Sequence, residues 1–131
     1  MRGNVVIVDD EDETAALLAE MMSSRGFTAI GVTTAHACLV RVSVGDVDVV
    51  VADVLLAGTS GLALCRELRS IHPGMRVLLM SGQLVSGLAD EANAAGAFDY
   101  LTKPIQIDDL DRAVTHAFEV SGRMRAIAQG T

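Results

Sequence analysis

Five short runs rich in Val, Ile, Leu and Phe, at residues 5–9, 27–32, 47–54, 77–81 and 98–101, alternate with stretches of helical periodicity. The helical stretches cover residues 13–25, 35–43, 61–72, 84–95 and 108–120. This alternation constrains the fold more than any other feature, because parallel strands need a long crossover and a helix is the usual one. Local punctuation agrees. Gly26 and Gly96 stand where helix C-caps are wanted, Thr33 or Thr34 and Ser60 where N-caps are wanted, and Pro73-Gly74 breaks the chain after the third helix. In that third helix Leu62, Cys65, Leu68 and Arg69 recur at three- and four-residue spacing and predict one apolar face.

Five βα units in 131 residues predict one α/β domain. The expected architecture is a flavodoxin-like (βα)5 doubly wound sandwich, with a parallel five-stranded sheet of order 2-1-3-4-5. Half the residues are hydrophobic and only 3% are aromatic, so the core is aliphatic and no stacking platform for bases or flavin is expected. The net charge of −7, from 10 basic against 17 acidic residues, argues against nucleic-acid binding by this chain. Cys38 and Cys65 are too few for a disulfide framework or a zinc site and read as buried, reduced thiols of a cytosolic, hence cytoplasmic, protein. The apolar run at residues 5–8 is too short for a signal peptide, and no membrane span is expected. Residues 1–120 form the expected domain, and 121–131 read as a C-terminal extension or the start of a linker.

In a doubly wound sheet ligands sit beyond the carboxyl ends of the strands. Those ends carry Asp9-Asp10, Asp53, Ser81-Gly82 and Lys103-Pro104. Three carboxylates, a hydroxyl and an ammonium would therefore share one mouth. Clustered carboxylates repel, and a hard cation such as Mg²⁺ relieves the repulsion through oxygen ligands. Asp53 would then be an ionised carboxylate able to act as a covalent nucleophile, with Ser81 and Lys103 spreading charge on a phosphoryl group. Each residue alone has a blander reading: acids suit a helix N-terminus, and Lys-Pro and Ser-Gly suit turns. All four strand ends carrying complementary groups together favours the joint reading.

At VVIVDDE, VVVADVLLAGTSG, LLMSG and GAFDYLTKP, residues 3–120 resemble the receiver (phosphoacceptor) domain of two-component response regulators. The resemblance implies that Asp53 accepts a phosphoryl group from a histidine kinase or histidine phosphotransferase. It implies a Mg²⁺ site, open to Mn²⁺, formed by Asp10, Asp53 and the Leu55 backbone carbonyl, with Asp9 acting through a water. Ser81 and Lys103 would contact the phosphoryl group, the Lys103–Pro104 bond would be cis, and Tyr100 would be the aromatic switch. Ser81 and Tyr100 would couple phosphorylation to the face of the fourth helix, fifth strand and fifth helix, read by a downstream effector or fused output domain, with a phosphorylation-dependent homodimer also expected there. Such a domain is a regulator, with phosphoryl transfer and slow self-dephosphorylation its only chemistry. Ala57 stands where the family often has Pro, implying a looser loop. Leu55 and Gln83 lie at positions that tune phosphoryl lifetime, and Leu55 has no polar atom to position water.

Rival readings use the same acids. Asp10 and Asp12, with Thr14, fit the D-x-D-x-T motif of haloacid-dehalogenase-like phosphatases, but that leaves Asp53 without a role. An EF-hand loop starting at Asp10 would need Gly where Ala15 stands. A flavodoxin-type flavin protein would need a phosphate-binding loop after the first strand. A receiver used only for docking, without phosphorylation, stays open. His36, His72 and His116 are scattered and read as surface or helix residues rather than ligands or phosphodonors, and Met21, Met22, Met75, Met80 and Met124 read mostly as core filler.

Overall fold

The computed structural model describes residues 2–82 and 87–130, with side chains through residue 119. Its elements are β1 (Asn4–Val8), α1 (Asp12–Ser24), β2 (Thr28–Val32), α2 (Ala35–Ser43), β3 (Val49–Asp53), β4 (Leu55–Leu56), β5 (Thr59–Ser60), α3 (Gly61–Ile71), β6 (Arg76–Ser81), α4 (Leu88–Ala95), β7 (Asp99–Thr102) and α5 (Ile107–Gly130). The main sheet runs β2-β1-β3-β6-β7, every pair parallel, which is the expected 2-1-3-4-5 order.

Strand residues alternate between two cores, as a two-residue period requires. Val6, Val8, Val50, Ala52, Val77 and Leu79 face α2, α3 and α4. Val5, Ile7, Val49, Val51, Leu78 and Met80 face α1 and α5. Burying a Val or Leu side chain stabilises by about 1.5–3 kcal/mol, so the fully buried run Val49–Ala52 holds β3 at the centre of the sheet. Its last residue, Asp53, is thereby fixed at the carboxyl edge.

Caps explain most boundaries. Thr34 and Ser60 accept from the backbone N–H groups of Ala37 and Ala63 (3.0 and 3.1 Å), which makes Thr34 the cap of α2. After α4, Gly96 adopts φ 89°, and the N–H groups of Gly96 and Ala97 return to Asn93 and Ala92. Only glycine takes that conformation without strain.

Several boundaries differ from the sequence reading. β3 begins at Val49 because Asp48 instead bonds Asn4, its N–H to the Asn4 carbonyl and its Oδ2 from the Asn4 N–H, both 3.1 Å. β2 begins one residue late, and β7 is displaced by one residue toward Thr102. α5 runs past residue 120 to Gly130, since proline is absent from the segment and Gly122 is its one internal glycine. The loss of acidic character in the sequence after 120 does not stop the helix. The expected first turn of the fourth helix, residues 84–86, lies outside the described residues. In α3 the buried face is Leu64, Cys65 and Leu68. Arg69 instead turns its guanidinium to the carbonyls of Pro73 and Met75, capping the loop that follows. A two-residue hairpin, β4–β5, turns through exposed Ala57 and through Gly58 at φ 79°.

Met22, Met75 and Met80 are core residues, Met21 is half-buried, and Met124 lies outside the described side chains. Cys38 and Cys65 are fully buried, and burial pushes the Cys38 thiol up to about 12. His36 and His116 are exposed and His72 half-buried.

An ionic cluster ties α5 to the α1–β2 corner. Asp111 accepts from Arg2 (3.2 Å) and Arg25 (3.1 Å), while the Arg2 guanidinium lies over the Phe27 ring. The Arg2 hydrogen bond outweighs burial and, with Thr115 and Arg25, holds the Asp111 carboxyl below its ordinary value near 3.8. A depressed folded pKa contributes stability above the unfolded value, and that contribution is lost as pH falls through the folded value. Asp111→Asn is therefore expected to lower stability at pH 7 and to show a smaller deficit at about pH 3, where the contribution is already falling. Urea unfolding at the two pH values checks this, and an equal deficit at both would contradict it.

Candidate functional site

The carboxyl edge of the sheet brings four sequence-distant groups together. β1 ends at Val8, and the Asp9 N–H still bonds the Val32 carbonyl (3.1 Å), which buries Asp9 completely. Asp9 Oδ1 accepts from the Glu11 N–H (3.0 Å). Asp10, one residue on, points to the exposed side. Asp53 is 7% exposed, and its Oδ1 accepts from the Leu55 N–H (2.9 Å). Ser81 ends β6 beside Thr102 and is 7% exposed.

Lys103 closes the arrangement. Its N–H bonds the Ser81 carbonyl (2.7 Å), and the Lys103–Pro104 peptide bond is cis. Its Nζ donates to Asp53 Oδ2 at 2.6 Å and to Asp9 Oδ2 at 2.7 Å. Burial pulls the Lys103 pKa down, but the hydrogen bonds to Asp53 and Asp9 outweigh it and leave it raised. The side chain is an ammonium at neutral pH.

Carboxylate oxygens of Asp9, Asp10 and Asp53 lie within 4.8 Å of one another. Three carboxylates against one ammonium leave two negative charges at the mouth, which a divalent cation would balance. The donors are all oxygen, two carboxylates are held by backbone N–H groups or Lys103, and Asp10 is open to solvent. This donor set suits a hard cation that keeps part of its water shell.

The remaining sequence-predicted residues occupy distinct places. Tyr100 lies on β7 and is 40% exposed. Leu55 is 69% exposed beside Asp53, and Gln83 lies outside the described residues. Glu11 is the N-cap residue of α1, while Asp12 and Glu13 occupy its first turn. That placement removes the EF-hand loop, because α1 begins where the loop would run. It also disfavours the phosphatase reading: Asp12 is an exposed helix residue, and Lys103 pairs with Asp9 and Asp53. The direct Asp9–Lys103 link was not visible in the sequence, where 94 positions separate the two residues. Nor was the β4–β5 hairpin, for which Ala57-Gly58 was the one local signal.

The family model for the response regulator receiver domain matches residues 5–115. The chain belongs to the response regulator receiver family. This receiver is a regulatory domain of two-component phosphorelay signalling. It is 31% identical over 119 residues to the DNA-binding transcriptional regulator NtrC of Salmonella typhimurium, covering 88% of this chain and 25% of that protein. It is 35% identical over 109 residues to the transcriptional regulatory protein TcrA of Mycobacterium tuberculosis, covering 81% of this chain and 42% of that protein. The crystal structure of NtrX from Brucella abortus in complex with ATP superposes with a TM-score of 0.90 at 29% identity, covering 98% of the receiver and 29% of that chain. The receiver thus spans about a quarter of the length of NtrC. Among the described residues no helix is long and apolar enough to cross a membrane.

Proposed function

We propose that Asp53 is the phosphoacceptor of this receiver, taking its phosphoryl group from a phosphohistidine on a histidine kinase or phosphotransferase. One observation carries the reading: the buried Asp53 carboxylate has one oxygen held by the Leu55 N–H and the other by the Lys103 ammonium. An Asp53 oxygen attacks phosphorus, the N–P bond breaks, and the imidazole leaves with the electron pair and takes up a proton. The product is an acyl phosphate on Asp53. Lys103, also anchored by Asp9, stays in place as the charge moves from carboxylate to phosphoryl oxygens and can follow it. Ser81, at the adjacent strand end, supplies a hydroxyl to the same group.

Asp10, Asp53 and the Leu55 carbonyl would hold Mg²⁺, with Asp9 behind them through a water. When bound, the ion neutralises negative charge on carboxylate and phosphoryl oxygens. Phosphorylation then shifts the population between two arrangements of the β7 region: Ser81 moves toward the phosphoryl group and Tyr100, exposed in this state, turns inward. The altered α4–β7–α5 face is read by a downstream effector, a fused output domain or a second copy of the chain. The domain itself is a cytoplasmic regulator that does not turn over substrate.

Intact-mass spectrometry after incubation with acetyl phosphate and Mg²⁺ tests the reading. Wild type is expected to gain one phosphoryl group, and neither Mg²⁺-free protein nor Asp53→Asn to gain any. An adduct that persists in Asp53→Asn but disappears in Asp10→Asn would overturn it.

A further inference from the structure

We propose that Gly61 is a positioning residue for Asp53, because its missing side chain lets the start of α3 sit directly on the Asp53 backbone. This rests on the reading of Asp53 as the phosphoacceptor. A Cβ built on Gly61 would lie 2.2 Å from the Asp53 carbonyl oxygen, 2.9 Å from its carbonyl carbon and 3.0 Å from the Val54 Cα. These are backbone atoms of the site strand and the residue after it, so they cannot turn aside as a flexible side chain would. Backbone conformation does not call for glycine here, since the Gly61 φ lies outside the left-handed region. At a helix start, propensity favours alanine. Space is what glycine supplies.

The contact bears on the carboxylate through a closed loop. The Gly61 N–H donates to the Val54 carbonyl (2.9 Å), and Leu55 pairs with Ser60 across the hairpin. Residues 54–61 are thus tied at their base, immediately beside the Leu55 N–H that orients Asp53 Oδ1. Ser60 Oγ caps α3 through the Ala63 N–H and holds the helix end in that seat. Pushing α3 away from Asp53 would displace the Leu55 N–H and carbonyl relative to the carboxylate. Misplacement of about 1 Å is enough to cost about 10²-fold in rate.

The test compares Gly61→Ala with Gly96→Ala, which strains a left-handed cap far from Asp53, and with Ser60→Ala, which loosens α3 without adding bulk. Mn²⁺ affinity by EPR and the initial rate of phosphorylation by acetyl phosphate are read per folded molecule. Gly61→Ala is expected to lower both by about tenfold or more, Ser60→Ala to lower both less, and Gly96→Ala to keep the wild-type values. Wild-type values in Gly61→Ala, or equal losses in Gly96→Ala, overturn the proposal. If Gly61→Ala does not fold, Ser60→Ala decides: a loss supports the proposal and wild-type values overturn it. A wild type that takes no phosphoryl group, or an Asp53→Asn that takes one, overturns the phosphoacceptor reading instead, and the Mn²⁺ arm still judges Gly61.

Discussion

Lys103→Met is expected to lower the stability of the metal-free protein by about 3–5 kcal/mol, and to slow phosphorylation of Asp53 by about 10²–10³-fold. The stability loss follows from what the ammonium separates. It lies 2.7 Å from Asp9 and 2.6 Å from Asp53, whose side chains are 0% and 10% exposed. Without it, two buried carboxylates with oxygens within 4.8 Å face each other. At an effective dielectric constant of about 20, unit charges at that separation repel by about 3–4 kcal/mol. The rate loss follows from the same position, since Lys103 is the cation next to the attacking oxygen. Urea unfolding with and without Mg²⁺ separates the effects: the deficit should shrink when Mg²⁺ is present, because the ion restores positive charge. A variant as stable as wild type without metal would mean that desolvation cancels the attraction. The sign with pH is also fixed. Lys103 has a raised folded pKa, so its contribution is complete below its ordinary value near 10.5 and lost as pH rises through the folded value.

Mg²⁺ at about a hundred times its dissociation constant is expected to stabilise the wild-type protein by about 2.7 kcal/mol. Asp10→Asn and Asp53→Asn should lose most of that gain, since each removes one of three clustered carboxylates. Without metal the sign reverses for Asp53→Asn. The amide keeps the shape, deletes one repelling charge and leaves Lys103 paired with Asp9, so this variant should be at least as stable as wild type. Thermal melts of the three proteins with and without Mg²⁺ check both halves. Equal Mg²⁺ stabilisation of all three would show that the ion binds elsewhere.

The fold and most of the candidate site were legible because they depend on local periodicity and on chain order. Alternating strands and helices dictate a parallel sheet, and the parallel sheet dictates that Asp9, Asp10, Asp53, Ser81 and Lys103 meet at one edge. Caps at Ser60 and Gly96 were readable because they act within a turn of the chain, whereas for α2 the sequence left Thr33 and Thr34 both open and the structure selects Thr34. Helix ends without such signals were not, and α5 continues to Gly130 where the composition merely changes.

Spacing along the chain set the alternation of strands and helices, the helix ends marked by Ser60 and Gly96, and which residue types reach the mouth of the sheet. Packing between elements settled the rest. Val5 and Val6 are the same residue type, and only packing assigns one to the α1–α5 face and the other to the α2–α4 face. Lys103 could have paired with any of three acids, and the depth at which β1 ends gives it Asp9 as well as Asp53. Gly61 sits where propensity would prefer alanine, because the Asp53 carbonyl occupies the space a side chain would need. Contacts of that kind depend on distances between elements that no local pattern encodes.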